Sequence, residues 1–160
     1  MPAQVQHDER VGRRYLPPVS MLLHIVARGR IGRSPEAELV HRYLARIAWP
    51  TKVTELPDRG GRVPAIDGQT RRVLLDEKGD PLASTTLAER LGRWRDDGVR
   101  EARFELGAAD GFDDADRAGA DLLLSFGRAT WPHLLARAML AEQLFRSVSI
   151  LANHPYHREG

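Results

Sequence analysis

Three short segments carry groups that could do chemistry. The first is Gly107-Ala-Ala-Asp-Gly111, between an apolar run and a helical pattern. Glycines at such a bend let a ligand approach the backbone and leave helix N–H groups free to meet it. The segment reads equally as a plain turn, since it matches neither GxGxxG nor a phosphate loop. The second is Thr130-Trp131-Pro132-His133, at the head of the longest helical stretch. Its backbone could hydrogen-bond the edge of a purine, and Trp131 could stack on a ligand or pack in the core. His133 could accept a proton or hydrogen-bond a base. The third is the tail, Asn153-His-Pro-Tyr-His-Arg-Glu159, which follows Arg146. Imidazole, phenol and guanidinium together suit stacking, phosphate contact and proton transfer. His154 and His157 stand three apart, a spacing found at metal sites, but no third ligand accompanies them, so no metal is expected.

Those segments must be held by an alternation of strands and helices. Leu22–Ala27 reads as a buried strand. Ser34 caps a helix with Pro35 at its first position, and Leu39, Val40, Tyr43, Leu44 and Ile47 form its apolar face. Val53–Leu56 and Val73–Leu75 are two more strands, separated by a loop over Asp58–Thr70 that is rich in glycine, proline and charge. Thr86-x-x-Glu89 has the form of a capping box, opening a helix that buries Leu87, Leu91 and Trp94 and ends near Asp97-Gly98. Ala102–Leu106 is the fourth strand. A short helix over Asp114–Ala120 and a fifth strand, Leu122–Phe126, follow it. The last helix starts at Trp131-Pro132 and runs to about Ile150. Its stripe of Leu134, Ala138, Ala141, Phe145 and Val148 is widened by Leu135 and Met139. That breadth fits either deep burial or contact with a second subunit. This order predicts an α/β domain with a largely parallel sheet flanked by helices, and ligands beyond the carboxyl ends of the strands. The loops after Ala27, Leu75, Leu106 and Phe126 are therefore the ones to watch.

Composition narrows the function. The chain has 160 residues, enough for one domain with its own core, and no cysteine, which excludes disulfides and thiolate metal sites. No run approaches the ~20 apolar residues of a membrane span. No apolar leader opens the chain, so a cytoplasmic location is expected. Net charge is +2, but its distribution is uneven. Residues 21–60 hold 7 basic and 4 acidic groups, residues 61–121 hold 10 and 14, and residues 122–160 hold 4 and 2. Basic charge thus gathers at both ends of the domain, almost all of it arginine, which pairs with phosphate and stacks on bases. Residues 1–20 are polar and aperiodic. They are expected to be a disordered extension, or alternatively an RNA-binding arm, and the domain is expected over 21–160.

The segments with chemical potential also carry a resemblance. Leu124-Ser-Phe-Gly-Arg-Ala-Thr-Trp-Pro-His133, then Arg137, Ala141-Glu-Gln-Leu-Phe-Arg146 and Asn153-His-Pro-Tyr-His-Arg-Glu159 closely resemble the C-terminal signature of the ribosomal RNA large subunit methyltransferase H family. Leu22-Leu-His-Ile-Val-Ala-Arg-Gly29 resembles that family's first strand. The resemblance implies a minimal SPOUT methyltransferase with a C-terminal trefoil knot, acting as a homodimer. It implies methyl transfer from S-adenosylmethionine to N3 of a pseudouridine in helix 69 of 23S rRNA on the assembled ribosome. Carried over by motif, Leu75, Gly107 and the run Phe126, Gly127, Arg128, Ala129, Thr130, Trp131 would bind the methyl donor. His133, Arg137 and Arg158 would face substrate, and Arg146, His154, Tyr156 and His157 would carry catalysis, some of them across the dimer. Two features depart from the family pattern: Ala108 replaces the second of two adjacent glycines, and the Asp58–Thr70 loop replaces a helix. Alternatives are a SPOUT enzyme acting on another RNA such as tRNA, and a non-catalytic ribosome-binding module. A dinucleotide-dependent dehydrogenase fails on its missing glycine fingerprint.

Overall fold

A computed structural model describes residues 21–153 and Tyr156. The expectations made for residues 1–20, His154, His157 and Arg158 lie outside the described residues. Among the described residues five strands and four helices follow in the order β1 (Leu22–Arg28), α1 (Pro35–Arg46), β2 (Thr51–Leu56), β3 (Thr70–Asp80), α2 (Ser84–Asp96), β4 (Glu101–Leu106), α3 (Asp114–Ala118), β5 (Leu122–Leu124) and α4 (His133–Leu151). The strands form one sheet in the order β2-β1-β4-β3-β5, and every pairing is parallel. The α/β reading of the sequence is therefore correct.

Alternation along each strand divides the sheet into two unlike faces. Leu23, Ile25 and Ala27 of β1, Val73 of β3, and Ala102, Phe104 and Leu106 of β4 point to one side. There they meet Leu87, Leu91 and Trp94 of α2 and Leu140, Leu144 and Val148 of α4. Helix α4 also packs Ala138 and Ala141 on Val40 of α1, with Leu39 and Tyr43 beside them. With α1 on one flank, α2 on the other and the sheet beneath, α4 buries Ala138, Leu140, Ala141, Leu144 and Val148 within a single chain, while Leu134, Leu135, Met139 and Phe145 stay half-buried. Intrachain packing thus accounts for the Ala138, Ala141 and Val148 part of its apolar stripe and leaves those four only partly covered.

The opposite face is polar. His24, 2% exposed, bridges Glu101 Oε2 at 2.9 Å and Thr54 Oγ1 at 2.7 Å. Arg103 donates to Glu101 through Nε and to the carbonyls of Pro64 and Ala65, each at 2.8 Å. The β2–β3 connection has no helix. It covers the sheet with loop backbone, anchored by that buried guanidinium.

Two local readings need correction. Strand β3 does not stop at Leu75 but runs to Asp80 with a wide irregularity, because Leu75 and Asp80 both pair with Leu124. The intervening bulge is held by the Asp76 carboxylate, which accepts from Lys78 N at 2.9 Å and Arg117 Nε at 2.6 Å. Gly79 closes it: a Cβ there would lie 2.6 Å from the backbone of Leu123, so only glycine fits. Helix α2 begins at Ser84 with Ala83 as N-cap, and Thr86 and Glu89 form no capping box. The Ser84 hydroxyl instead donates to Gln143 Oε1 at 2.7 Å, so a tertiary contact with α4 replaces the local cap. At α1 the expected cap is present, with Ser34 Oγ accepting from Ala37 N at 3.1 Å. No described helix is long and apolar enough to cross a membrane.

Candidate functional site

The carboxyl ends of β3, β4 and β5 open into a cavity of about 290 Å³. Because β3 lies between β4 and β5, the turn after β4 and the loop after β5 form facing walls. Leu75, Leu106 and Leu124 make an apolar floor. One wall is Gly107–Phe112, and the other is Ser125–Gly127 with Ala129–Trp131. Of the residues expected to bind a cofactor, Leu75, Gly107, Phe126, Gly127, Ala129, Thr130 and Trp131 all border this one cavity. Arg128 does not; its side chain is exposed.

Each wall has a local cause. A Cβ on Gly107 would stand 3.3 Å from the Phe112 ring, so the missing side chain lets that ring close against the turn. Ala108 also borders the cavity, which keeps its volume with that methyl in place. On the other wall, the Ser125 hydroxyl accepts from Gly127 N at 3.0 Å and donates to Gly127 O at 2.9 Å, tightening the bend after β5. Beyond it, the N–H groups of Arg128, Ala129, Thr130 and Trp131 find no acceptor among the described residues. Trp131 Nε1 donates to Phe126 O at 3.2 Å, and the residue is 42% exposed. The structure thus puts Trp131 on the rim, not in the core.

Sequence reasoning missed Phe112, Asp76, Glu77 and Arg117, which also border the cavity. Burial alone would raise the Asp76 carboxyl. Hydrogen bonds from Lys78 N and Arg117, with the charges of both side chains, outweigh it and hold the group below its ordinary value. Asp76 is therefore a structural anion tying β3 to α3. Glu77 is exposed and makes no hydrogen bond or ion pair with the described residues. An apolar floor, unpaired amides and one uncommitted carboxylate suit a ligand with a flat hydrogen-bonding ring and a positive charge.

The residues expected to meet substrate or carry catalysis separate into groups. His133 borders the cavity. Arg137 does not face an open surface: it is 2% exposed and pairs with Glu55, and its Nη2 donates to Gly29 O at 3.2 Å. Arg146 pairs with Glu142, Nη2 to Oε2 at 2.7 Å, and its guanidinium lies 5.1 Å from the centroid of the Tyr156 ring. Tyr156 donates to Glu142 Oε2 at 2.8 Å and meets Phe145 edge-on at 4.6 Å. Burial and the bond to Glu142 push its phenol well above the ordinary 10.0, so it stays a donor. Arg146 is thirteen residues beyond His133 on α4, about 20 Å along the axis at 1.5 Å per residue. Neither group reaches the cavity of its own chain. Among the described residues no cluster of three or more His, Cys, Asp or Glu could hold a metal.

Comparison with known proteins gives the same direction. The family described as predicted SPOUT methyltransferase matches residues 21–157. A protein of Rhizorhabdus wittichii named ribosomal RNA large subunit methyltransferase H is 72% identical over 140 residues, 88% of this chain and 100% of the relative. Proteins of the same name from Novosphingobium aromaticivorans and Paramagnetospirillum magneticum are 68% and 44% identical, covering 88% and 86% of this chain and 100% and 99% of the relatives.

Proposed function

Because the chain belongs to the ribosomal RNA large subunit methyltransferase H family of SPOUT methyltransferases, we propose that it methylates N3 of a pseudouridine in helix 69 of 23S rRNA, on the assembled ribosome in the cytoplasm, with S-adenosylmethionine as donor. The observation that carries this reading is the convergence of the Gly107 turn and the Phe126–Trp131 loop on one strand-edge cavity. When bound there, S-adenosylmethionine supplies an activated methyl group, so alignment and proton removal are what the protein must add. The free amides of the loop after β5 would read the adenine edge, and Glu77 would face the donor's positive charge. His133, on the border, would hold the target base. N3 of pseudouridine loses a proton as its bond to carbon forms. His154 or His157 takes that proton, directly or through a water, while Arg146 or Arg158 stabilises charge on the nucleotide.

The proposal includes a homodimer and the C-terminal knot of the family. Arg146, with Tyr156 packed against it, lies about 20 Å along α4 from His133, which supports a site completed by the tail of a second copy. The test is mass spectrometry of 23S rRNA from a deletion strain, with and without the gene restored, alongside calorimetry with S-adenosylmethionine. One methyl group on a helix 69 pseudouridine should disappear and return. An unchanged modification pattern, or a protein that binds no donor, overturns the reading.

A further inference from the structure

Beside the donor cavity lies a second cleft of about 470 Å³. Arg28, Arg30 and Arg59 line one side of it, and Ala108–Asp110 and His133 line the other. Both hollows share Ala108, Ala109, Asp110 and His133, so they are adjoining rooms with a common wall. Arg28 is committed, since its Nη1 donates to the carbonyls of Pro57 and Gly60. Arg30 and Arg59 are exposed and make no hydrogen bond or ion pair with the described residues.

We propose that this cleft binds the phosphodiester backbone of the RNA substrate beside the target nucleotide, with Arg30 and Arg59 as phosphate ligands and Arg137 as the residue that positions Arg30. The inference rests on the methyltransferase reading and adds the place where the RNA strand is gripped. Charge favours a phosphodiester over a phosphomonoester. Asp58 and Asp110 also line the cleft, so its three arginines leave one net positive charge. That matches the single charge of an internucleotide phosphate.

The presentation of Arg30 is built from the inside. On one side of it, Gly29 O accepts from Arg137 Nη2 at 3.2 Å. On the other, Ile31 N donates to Glu55 Oε2 at 2.8 Å. Glu55 is itself the partner of Arg137 Nη1. Both neighbours of Arg30 are thereby tied to a single ion pair. Burial would raise the Glu55 carboxyl, but the bonds from Ile31 and Arg137 and the charges of Arg137 and, more weakly, Arg30 prevail and keep it charged. Arg137 is buried with its Nε unpaired, which is costly for a guanidinium. Such a strut makes physical sense where the position of the loop matters, and the side chain this loop offers to the cleft is Arg30.

The experiment compares wild type with Arg30→Ala, Arg59→Ala, the double variant and Glu55→Gln. Ribosomes from a strain lacking the gene serve as substrate, over a series of monovalent salt concentrations. The double variant should raise KM for ribosomes about tenfold, and the log–log salt dependence of binding should become shallower by about one to two. Donor affinity by calorimetry should stay at the wild-type value. Glu55→Gln should raise KM and flatten the salt dependence to a smaller degree, which a purely structural role would not do. A double variant with wild-type KM and salt slope overturns the proposal. Filter retention of the same ribosomes needs no methyl transfer. It reads the cleft even if the wild type binds no donor, the result that would sink the enzyme reading instead.

Discussion

On the sheet face opposite the long helices, Arg72 and Arg103 are both matched: Arg72 Nε meets Glu105 at 2.6 Å and Arg103 Nε meets Glu101 at 2.8 Å. The Arg103 guanidinium also donates to two loop carbonyls. At the carboxyl edge of the same sheet, Arg30, Arg59 and Glu77 have no such partner among the described residues. The two regions share a composition but differ in accounting for it. Where every nitrogen of a buried guanidinium has an acceptor, as in Arg103, the cluster holds the fold together, here by fastening the loop between β2 and β3. Where charges stand uncommitted beside a cavity with free amides, they are available to a ligand.

Substitutions on each side can break that contrast, and the largest effect belongs to the paired face. Arg103→Met strands the Glu101 carboxylate and the carbonyls of Pro64 and Ala65, so unfolding free energy should fall by about 3–5 kcal/mol. Donor affinity, measured well below the lowered Tm, should not change. A variant with wild-type stability and lost donor binding would erase the distinction. Next in size is Gly107→Val at the strand edge. Its branches would crowd Phe112 and the cavity, and donor affinity should drop about thirtyfold, roughly 2 kcal/mol. Calorimetry checks this, with thermal unfolding as the control that the fold survives. Smallest is the acid response of the paired face. Burial would raise the Glu101 carboxyl, but hydrogen bonds from Arg103 and His24 and the charge of Arg103 hold it below its ordinary 4.5. A depressed carboxyl contributes its stability fully above that ordinary value and loses it as pH falls through the folded value. Glu101→Gln should therefore flatten stability against pH below 4.5 by up to about 1.4 kcal/mol per pH unit. An unchanged acid limb in urea titrations would show that Glu101 does not carry it.

Much of the candidate site is legible in the sequence, because its parts are local. The Gly107 turn, the loop after β5 and the head of α4 are each continuous in sequence, and the rule that ligands gather at carboxyl strand ends brings them together. Arg137 shows the limit. Its type and motif suggest a substrate contact, yet it is buried against a glutamate 82 positions away. Asp76 and Arg117, 41 positions apart, form another tie that no periodicity announces. The capping box at Thr86 failed for the same reason, since Ser84 found its partner on α4.

By itself, then, the sequence determined the order of strands and helices, the apolar faces, the parallel sheet and the segments that line the strand-edge cavity. Those follow from period and from turn chemistry, which act between near neighbours along the chain. Tertiary structure alone decided which charges are used up inside the fold and which remain for a ligand. A guanidinium has the same pattern in sequence whether it meets a carboxylate, a carbonyl or open solvent, and only the packing of distant segments supplies or withholds the partner.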